Sequence, residues 1–237
     1  CGLVLLSVCV LAIQGMTCHD AVLAAISRQS GSKPTVLVDE PDMLVYLVPS
    51  LLSADEQLKL HGELQAWDGW QRAVDDFGPQ QRLTGYCGDE GAIFSYVGLR
   101  CDPKPWLPCL AEPLKRVNTV IAAAHSTKCT GCLLNNYERN DGQIPWHSDE
   151  VRAHGAAKLV VALSTGGERP LELRRRADQG SVMRVMLPPG SAIVMAGETQ
   201  SHWEHALPLE ADAPQRISLT FRSIEIGFED GRSPPHS

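Results

Sequence analysis

Three things are scarce in this chain, and each scarcity narrows its class. Positive charge is in the minority, with 21 Lys and Arg against 28 Asp and Glu and a net charge of −7. No overall basic character announces nucleic acid, although a local basic groove is still compatible with that sum, because binding follows the distribution of charge. Cysteine is sparse, eight in 237 residues, which is too few for a disulfide scaffold at this length. Cys129-Thr-Gly-Cys132 is a lone C-x-x-C with no second pair at zinc spacing, so it reads as reduced thiols near a strand start. A membrane-length apolar run is missing as well. The N-terminal "CGLVLLSVCVLAIQG" (1–15) is apolar and uncharged, but it is short for a span and has no basic segment before it. No stable membrane association is expected.

Residues 1–34 are assigned no fold. The stretch 1–15 reads either as a targeting segment or as an upstream extension with Met16 as the start, and "SRQSGSKP" (27–34) reads as a polar linker. The first option admits an organelle; the second points to the nucleus or cytoplasm. One domain over 35–228 follows, and "EDGRSPPHS" (229–237) reads as a disordered tail. The make-up, 43% hydrophobic and 21% charged, is that of an ordinary globular protein; a monomer is expected.

Within that domain "MLVYLVP" (43–49) is strand-like. Ser53 is a helix N-cap with Glu56 completing a capping box, and Leu60 and Leu64 give that helix its buried side. Residues 106–125 read as a helix whose first part is interrupted by Pro. Short strand candidates then follow one another: "CLLNNYE", "KLVVALS", "LELRR", "VMRVML", "SAIVMAG" and "RISLTFRSI". A few helices and many short strands predict an α+β, mainly β fold, with strands closing into a sandwich or barrel and helices packed outside.

The chemistry concentrates in "LLNNYERNDGQIPWHSDE" (133–150). Residues two apart on a strand face the same way, so His147 and Asp149 reach one ion from one extended segment. A third donor comes from "TQSHWEHALP" (199–208), which offers His202 and His205. Two imidazoles and one carboxylate leave positions open on an octahedral metal, the arrangement of non-haem Fe(II) oxygenases. In "RISLTFR" the apolar Ile217, Leu219 and Phe221 share one face, and Arg216, Ser218, Thr220 and Arg222 share the other. Two guanidiniums interleaved with hydroxyls on a buried strand suit a small dianionic ligand, because Arg grips carboxylate in a bidentate way. Asn135 and Tyr137 share a face and add neutral hydrogen bonds.

The order N-x-Y, H-x-D, H, R-x-S-x-T-x-R resembles the AlkB family of Fe(II)- and 2-oxoglutarate-dependent dioxygenases, and within it the eukaryotic members that act on alkylated DNA and RNA. "RLTGYCGD", "FSYVGLRCDPKPWLP", "ALSTGGERPLELR" and "TQSHWEHALP" match in the same order, so the resemblance covers roughly 43–225. It implies a double-stranded β-helix (jelly roll), His147, Asp149 and His205 as iron ligands, and Asn135, Tyr137, Arg216, Ser218 and Arg222 as 2-oxoglutarate contacts. It also implies O2 as co-substrate and oxidative demethylation of N-alkylated bases such as 1-methyladenine and 3-methylcytosine, releasing formaldehyde, succinate and CO2. Alkylated single- or double-stranded nucleic acid is the implied partner.

Tyr86, Phe94 and Tyr96 fall in segments similar to the family's nucleotide-recognition lid, and Arg174 matches a family arginine; all four are candidate substrate contacts. Arg174–Arg176 with Arg184 form the best local basic patch. Four positions depart from the pattern. Ser218 stands where Asn is usual, Thr165 and Leu171 where Phe is preferred, and Phe77-Gly78, near the place of an intercalating finger, has the acidic flank Asp75-Asp76. Three other readings use the same residues: a dioxygenase acting on RNA or protein side chains, a non-catalytic nucleic-acid-binding module of this fold, and a zinc hydrolase. The last leaves the buried arginine pair unexplained.

Overall fold

A computed structural model describes residues 18–40, 43–122, 127–140, 142–149 and 158–226. The readings at 1–15 and 229–237 lie outside these residues, as does the end of the 106–125 helix.

Two antiparallel sheets face each other. Seven strands make the larger, in the order β1-β2-β13-β10-β15-β8-β5, and four make the smaller, in the order β12-β11-β14-β9. In the larger sheet these are Thr35–Glu40, Met43–Val48, Ala192–Gly197, Val160–Gly166, Arg216–Arg222, Gly131–Tyr137 and Leu83–Gly88. In the smaller they are Asp178–Leu187, Arg169–Arg175, Trp203–Leu207 and Ile144–His147. Two short hairpins, β3–β4 (Val74–Asp75, Gly78–Pro79) and β6–β7 (Phe94–Tyr96, Leu99–Cys101), stand outside the sheets. This is the jelly-roll sandwich that the strand pattern and the family resemblance lead one to expect.

Strand alternation puts a different environment on each side of the larger sheet. On one side Leu134, Val161, Leu163, Val194, Ile217, Leu219 and Phe221 join Leu60, Leu64, Val117 and Ile121 of two helices in the main core. Those helices are α2 (Ala54–Gln65) and α3 (Ala111–Ala122), the latter preceded by a 3-10 turn at Pro108–Leu110. On the other side Val45, Val160, Ile193 and Met195 meet Leu171, Leu173, Val185 and Leu187 of the smaller sheet. The start of α2 is fixed as its sequence predicts: the Ser53 hydroxyl accepts from the Glu56 N–H, and the Glu56 carboxylate accepts from the Ser53 N–H.

The chain is ordered further upstream than its composition suggests. Cys18–Ser30 form a helix, α1, so Ser27–Ser30 of the expected linker belong to its last turn. Its sequence is alanine-rich, with Asp20 in the first turn and Arg28 in the last, both favourable to the helix dipole. The linker reading gave weight to the polar residues and none to Ile26, which is fully buried in the main core beneath α3. Ile26→Ala is expected to cost about 2–5 kcal/mol of unfolding free energy; urea denaturation measures it, and a loss below 0.5 kcal/mol, roughly a surface-substitution effect, would mean that α1 is not docked.

Candidate metal and co-substrate site

Between the sheets lies a cavity of about 490 Å³. Its wall from the larger sheet carries the polar face of β15 and the alternate residues Leu133, Asn135 and Tyr137 of β8. Ile144, Trp146 and His147 of β9 and His205 and Leu207 of β14 form the wall opposite.

His147, Asp149 and His205 come together there, each offering one ligand atom, and these atoms lie within 4.8 Å of one another. The two histidines are directly opposed in the β9–β14 pairing, which sets their rings 4.2 Å apart. His147 Nδ1 lies 2.9 Å from the Pro145 carbonyl, so Nδ1–H donates there and the Nε2 lone pair is free for the site. Burial lowers the His147 pKa, and burial together with the neighbouring His147 pushes that of His205 down to about 3. Both imidazoles are therefore neutral at pH 7, as metal ligands must be. His202, the alternative third donor, is exposed on a short helix, α4 (Thr199–His202), and does not line the cavity.

Asp149 arrives by a route that the two-residue spacing does not describe. Strand β9 ends at His147, so Asp149 lies beyond the ladder. Arg222 Nη2 donates to Asp149 Oδ2 at 2.8 Å, and the Asp149 N–H donates to Gln200 Oε1 at 2.9 Å.

The cavity also holds the four other polar residues expected to take a co-substrate. Arg216 is 2% exposed and donates from Nη2 to the hydroxyls of Ser164 and Ser218, at 2.8 and 3.3 Å. Its Nε has no partner, and burial pushes its pKa down to about 10, which still leaves it charged at pH 7. Ser218 therefore spends its shorter side chain on steadying this guanidinium. Tyr137 lies beneath Arg216, with the ring centre 5.5 Å from Cζ. Asn135 accepts from Arg82 Nε at 2.7 Å. Arg222 Nε is another buried donor without a partner. A buried guanidinium N–H without an acceptor is costly, so these orphaned donors on Arg216 and Arg222 fit a dicarboxylate. The donor triad fits a six-coordinate divalent metal with open positions.

The sequence reading missed two arginines. Arg82, 9% exposed, reaches the cavity from the residue before β5. Arg169 is fully buried behind Tyr137, its Cζ 6.0 Å from the ring centre, with Nε and Nη1 unpartnered and Nη2 on the carbonyls of Gly142 and Pro208. Flanking Gly166, Gly167 and Pro170 make Arg169 look like an exposed turn residue, which hid it.

The four candidate substrate contacts divide. Phe94 and Tyr96 line the cavity, stacked on each other at 5.4 Å, and the Arg222 guanidinium packs 4.5 Å over the Phe94 ring. Tyr86 and Arg174 do not reach it. Tyr86 lies across Gly131, where a Cβ would come within 2.2 Å of its hydroxyl, and donates that hydroxyl to the Ala92 carbonyl at 2.6 Å. It is a core residue. Arg174 donates through Nε and Nη2 to Glu204 and stacks 4.1 Å over Trp146, so it braces the wall from behind. The basic patch is also neutralised: Arg175 pairs with Glu40, Arg176 with Glu204, and Arg184 with Glu172 and Glu210. Strand pairing set these partners, which a one-dimensional charge count cannot see.

At the cavity rim, Phe77 is 87% exposed on the turn between β3 and β4. Its acidic neighbour Asp75 builds that turn, accepting from the Phe77 N–H and the Gln80 amide, both at 2.9 Å.

Residues 44–222 match the 2OG-Fe(II) oxygenase superfamily. The chain is 31% identical to the alpha-ketoglutarate-dependent dioxygenase alkB homolog 3 of Mus musculus, over 66% of this chain and 55% of that protein. It is 31% identical to the DNA oxidative demethylase ALKBH2 of Bos taurus over 72% of this chain and 64% of that protein, and 30% identical to human ALKBH2 over 72% and 69%. A solved structure described as that of OsALKBH1 superposes with a TM-score of 0.54 at 17% identity, covering 80% of this chain and all of that one, a likeness of fold. This chain belongs to the AlkB family of 2OG-Fe(II) oxygenases. It spans just over half of the mouse relative and under two thirds of the bovine one. No helix among the described residues is long and apolar enough to cross a membrane.

The depressed His205 pKa has a pH signature. Unfolding raises it from about 3 towards about 6.5, so the unfolded chain binds the extra proton in that window and stability falls as pH falls through it. Between pH 7 and 5 the metal-free protein should lose about 2 kcal/mol from this group, read as urea midpoints. His205→Gln, which cannot titrate, should remove most of that difference.

Proposed function

We propose that this protein is an Fe(II)- and 2-oxoglutarate-dependent dioxygenase that demethylates N-alkylated bases in nucleic acid. The observation that carries the reading is the single cavity in which a neutral His pair and a carboxylate face orphaned buried guanidinium donors. Family membership and the relatives' names agree with it.

His147, Asp149 and His205 hold the iron and leave positions for two small molecules. When bound, the iron with 2-oxoglutarate and O2 supplies oxidation of an N-methyl group, the co-substrate leaving as succinate and CO2 and the methyl carbon as formaldehyde. Arg222 touches Asp149 and so marks the metal end of the co-substrate site. Arg216, six residues away along β15, marks the remote end, where it and Tyr137 take the far carboxylate. Asn135, oriented by Arg82, offers hydrogen bonds between them. Leu133, Ile144 and Leu207 exclude water from the walls. The stacked faces of Phe94 and Tyr96 receive an extruded base, with Phe77 at the entrance, and extrusion costs least for an unpaired or damaged nucleotide. A protein side chain as substrate would leave this aromatic wall without use.

Purified protein with Fe(II), 2-oxoglutarate and O2 should release formaldehyde and succinate in equal amounts from an oligonucleotide carrying one 3-methylcytosine. Single-stranded, duplex and RNA versions rank the substrates. Asp149→Ala should abolish turnover. Arg216→Met should raise the half-saturating 2-oxoglutarate concentration at least about tenfold, the loss of one charge-assisted contact. Failure of the metal-loaded, folded protein to decarboxylate 2-oxoglutarate would refute the enzyme reading.

A further inference from the structure

Among the cavity's donors, Asp149 has an unusual support. His147 and His205 are fixed by strand pairing, each on a ladder that continues beneath it. Asp149 lies two residues past the end of β9. Its backbone N–H, with no strand to donate to, must still find an acceptor in a cramped place. It finds the side chain of Gln200, 2% exposed, whose Oε1 lies 2.9 Å away. The other end of that amide is also committed: Nε2 donates to Met195 Sδ at 3.6 Å. An acceptor at one end and a donor at the other fix which way the amide points.

Gln200 sits in α4, and that helix leads into β14, which carries His205. The turn is closed by the Thr199 hydroxyl on the Ala196 carbonyl at 2.6 Å and by the Trp203 N–H on the Thr199 carbonyl. A second tie crosses the same gap, from the Ser148 hydroxyl to the Trp203 carbonyl at 2.8 Å. The segment delivering Asp149 is therefore held by side chains onto the segment delivering His205.

We propose that Gln200 is a positioning residue for the metal centre: its amide replaces the missing ladder acceptor and sets the Asp149 carboxylate at metal-binding distance from the two histidines. Arg222 restrains the carboxylate's charge and Gln200 its backbone; without Gln200 the carboxylate is oriented but the main chain under it is held only from the neighbouring Ser148. The inference rests on the assignment of His147, Asp149 and His205 as metal ligands. Loss of an outer hydrogen-bond partner of a ligand costs metal affinity about 10–100-fold.

The test uses the full chain, metal-free, titrated with Co(II) and followed by visible absorbance. Gln200→Met keeps the shape and removes the acceptor, and its Co(II) dissociation constant should rise about 10–100-fold. Gln200→Glu keeps an oxygen at the same reach and should bind closer to wild type than the Met variant does. A role confined to packing would lower the thermal midpoint of both metal-free variants and leave the affinity of the folded fraction unchanged, which would overturn the proposal. Hydrogen exchange in the metal-free wild type needs no variant: the Asp149 amide should be protected like those within β9, and exchange at an unprotected rate would also overturn it. A wild-type protein that binds no Co(II) would refute the ligand assignment itself, a result distinct from wild-type affinity in Gln200→Met.

Discussion

The centre of this molecule is one strand with two incompatible faces. β15 lies between β10 and β8 in the larger sheet, and nothing can move it to an edge without dismantling both pairings. Its odd-numbered residues complete the apolar core under the helices, and its even-numbered residues put two guanidiniums into the space between the sheets. A one-residue slip of register would exchange these faces, burying arginine against α2 and α3 and exposing leucine to the cavity. Fold and site are thereby specified by the same alternation.

The cavity follows from that constraint. Arg216 donates to hydroxyls and Arg222 to Asp149, so the space around them is polar, while the two sheets pack apolar side chains together around Val160 and Leu173. The helix face bears the stability that such an arrangement requires. Docking of α1 on α3 extends that core upstream, so a segment with no part in the site contributes to its support.

Much of this was legible in the sequence because it is periodic or local. The alternation in "RISLTFR", the capping box at Ser53 and the pairing of Asn135 with Tyr137 on one face are short-range rules, and each describes the folded chain. What could not be read depends on contacts between distant elements. Tyr86 is a core residue because Gly131, across the β5–β8 pairing, leaves room for its ring. Arg174 turns from the cavity because Glu204 is its neighbour on β14. Asp149 reaches its place by side-chain ties after the strand has ended. Arg169 was hidden by turn-forming neighbours, and Ile26 by the polar residues that follow it.

The basic patch of Arg174, Arg175, Arg176 and Arg184 has one more consequence. Each already has a glutamate, so a phosphate arriving at this edge would compete with a carboxylate for the guanidinium. The exchange trades one ion pair for another and frees a protein carboxylate to gather its own small cations from solution, offsetting those shed by the nucleic acid. On this edge added salt weakens the incumbent glutamate as much as the incoming phosphate, so attraction there is a competition between two anions and carries little of the steep ionic-strength dependence of an open basic groove.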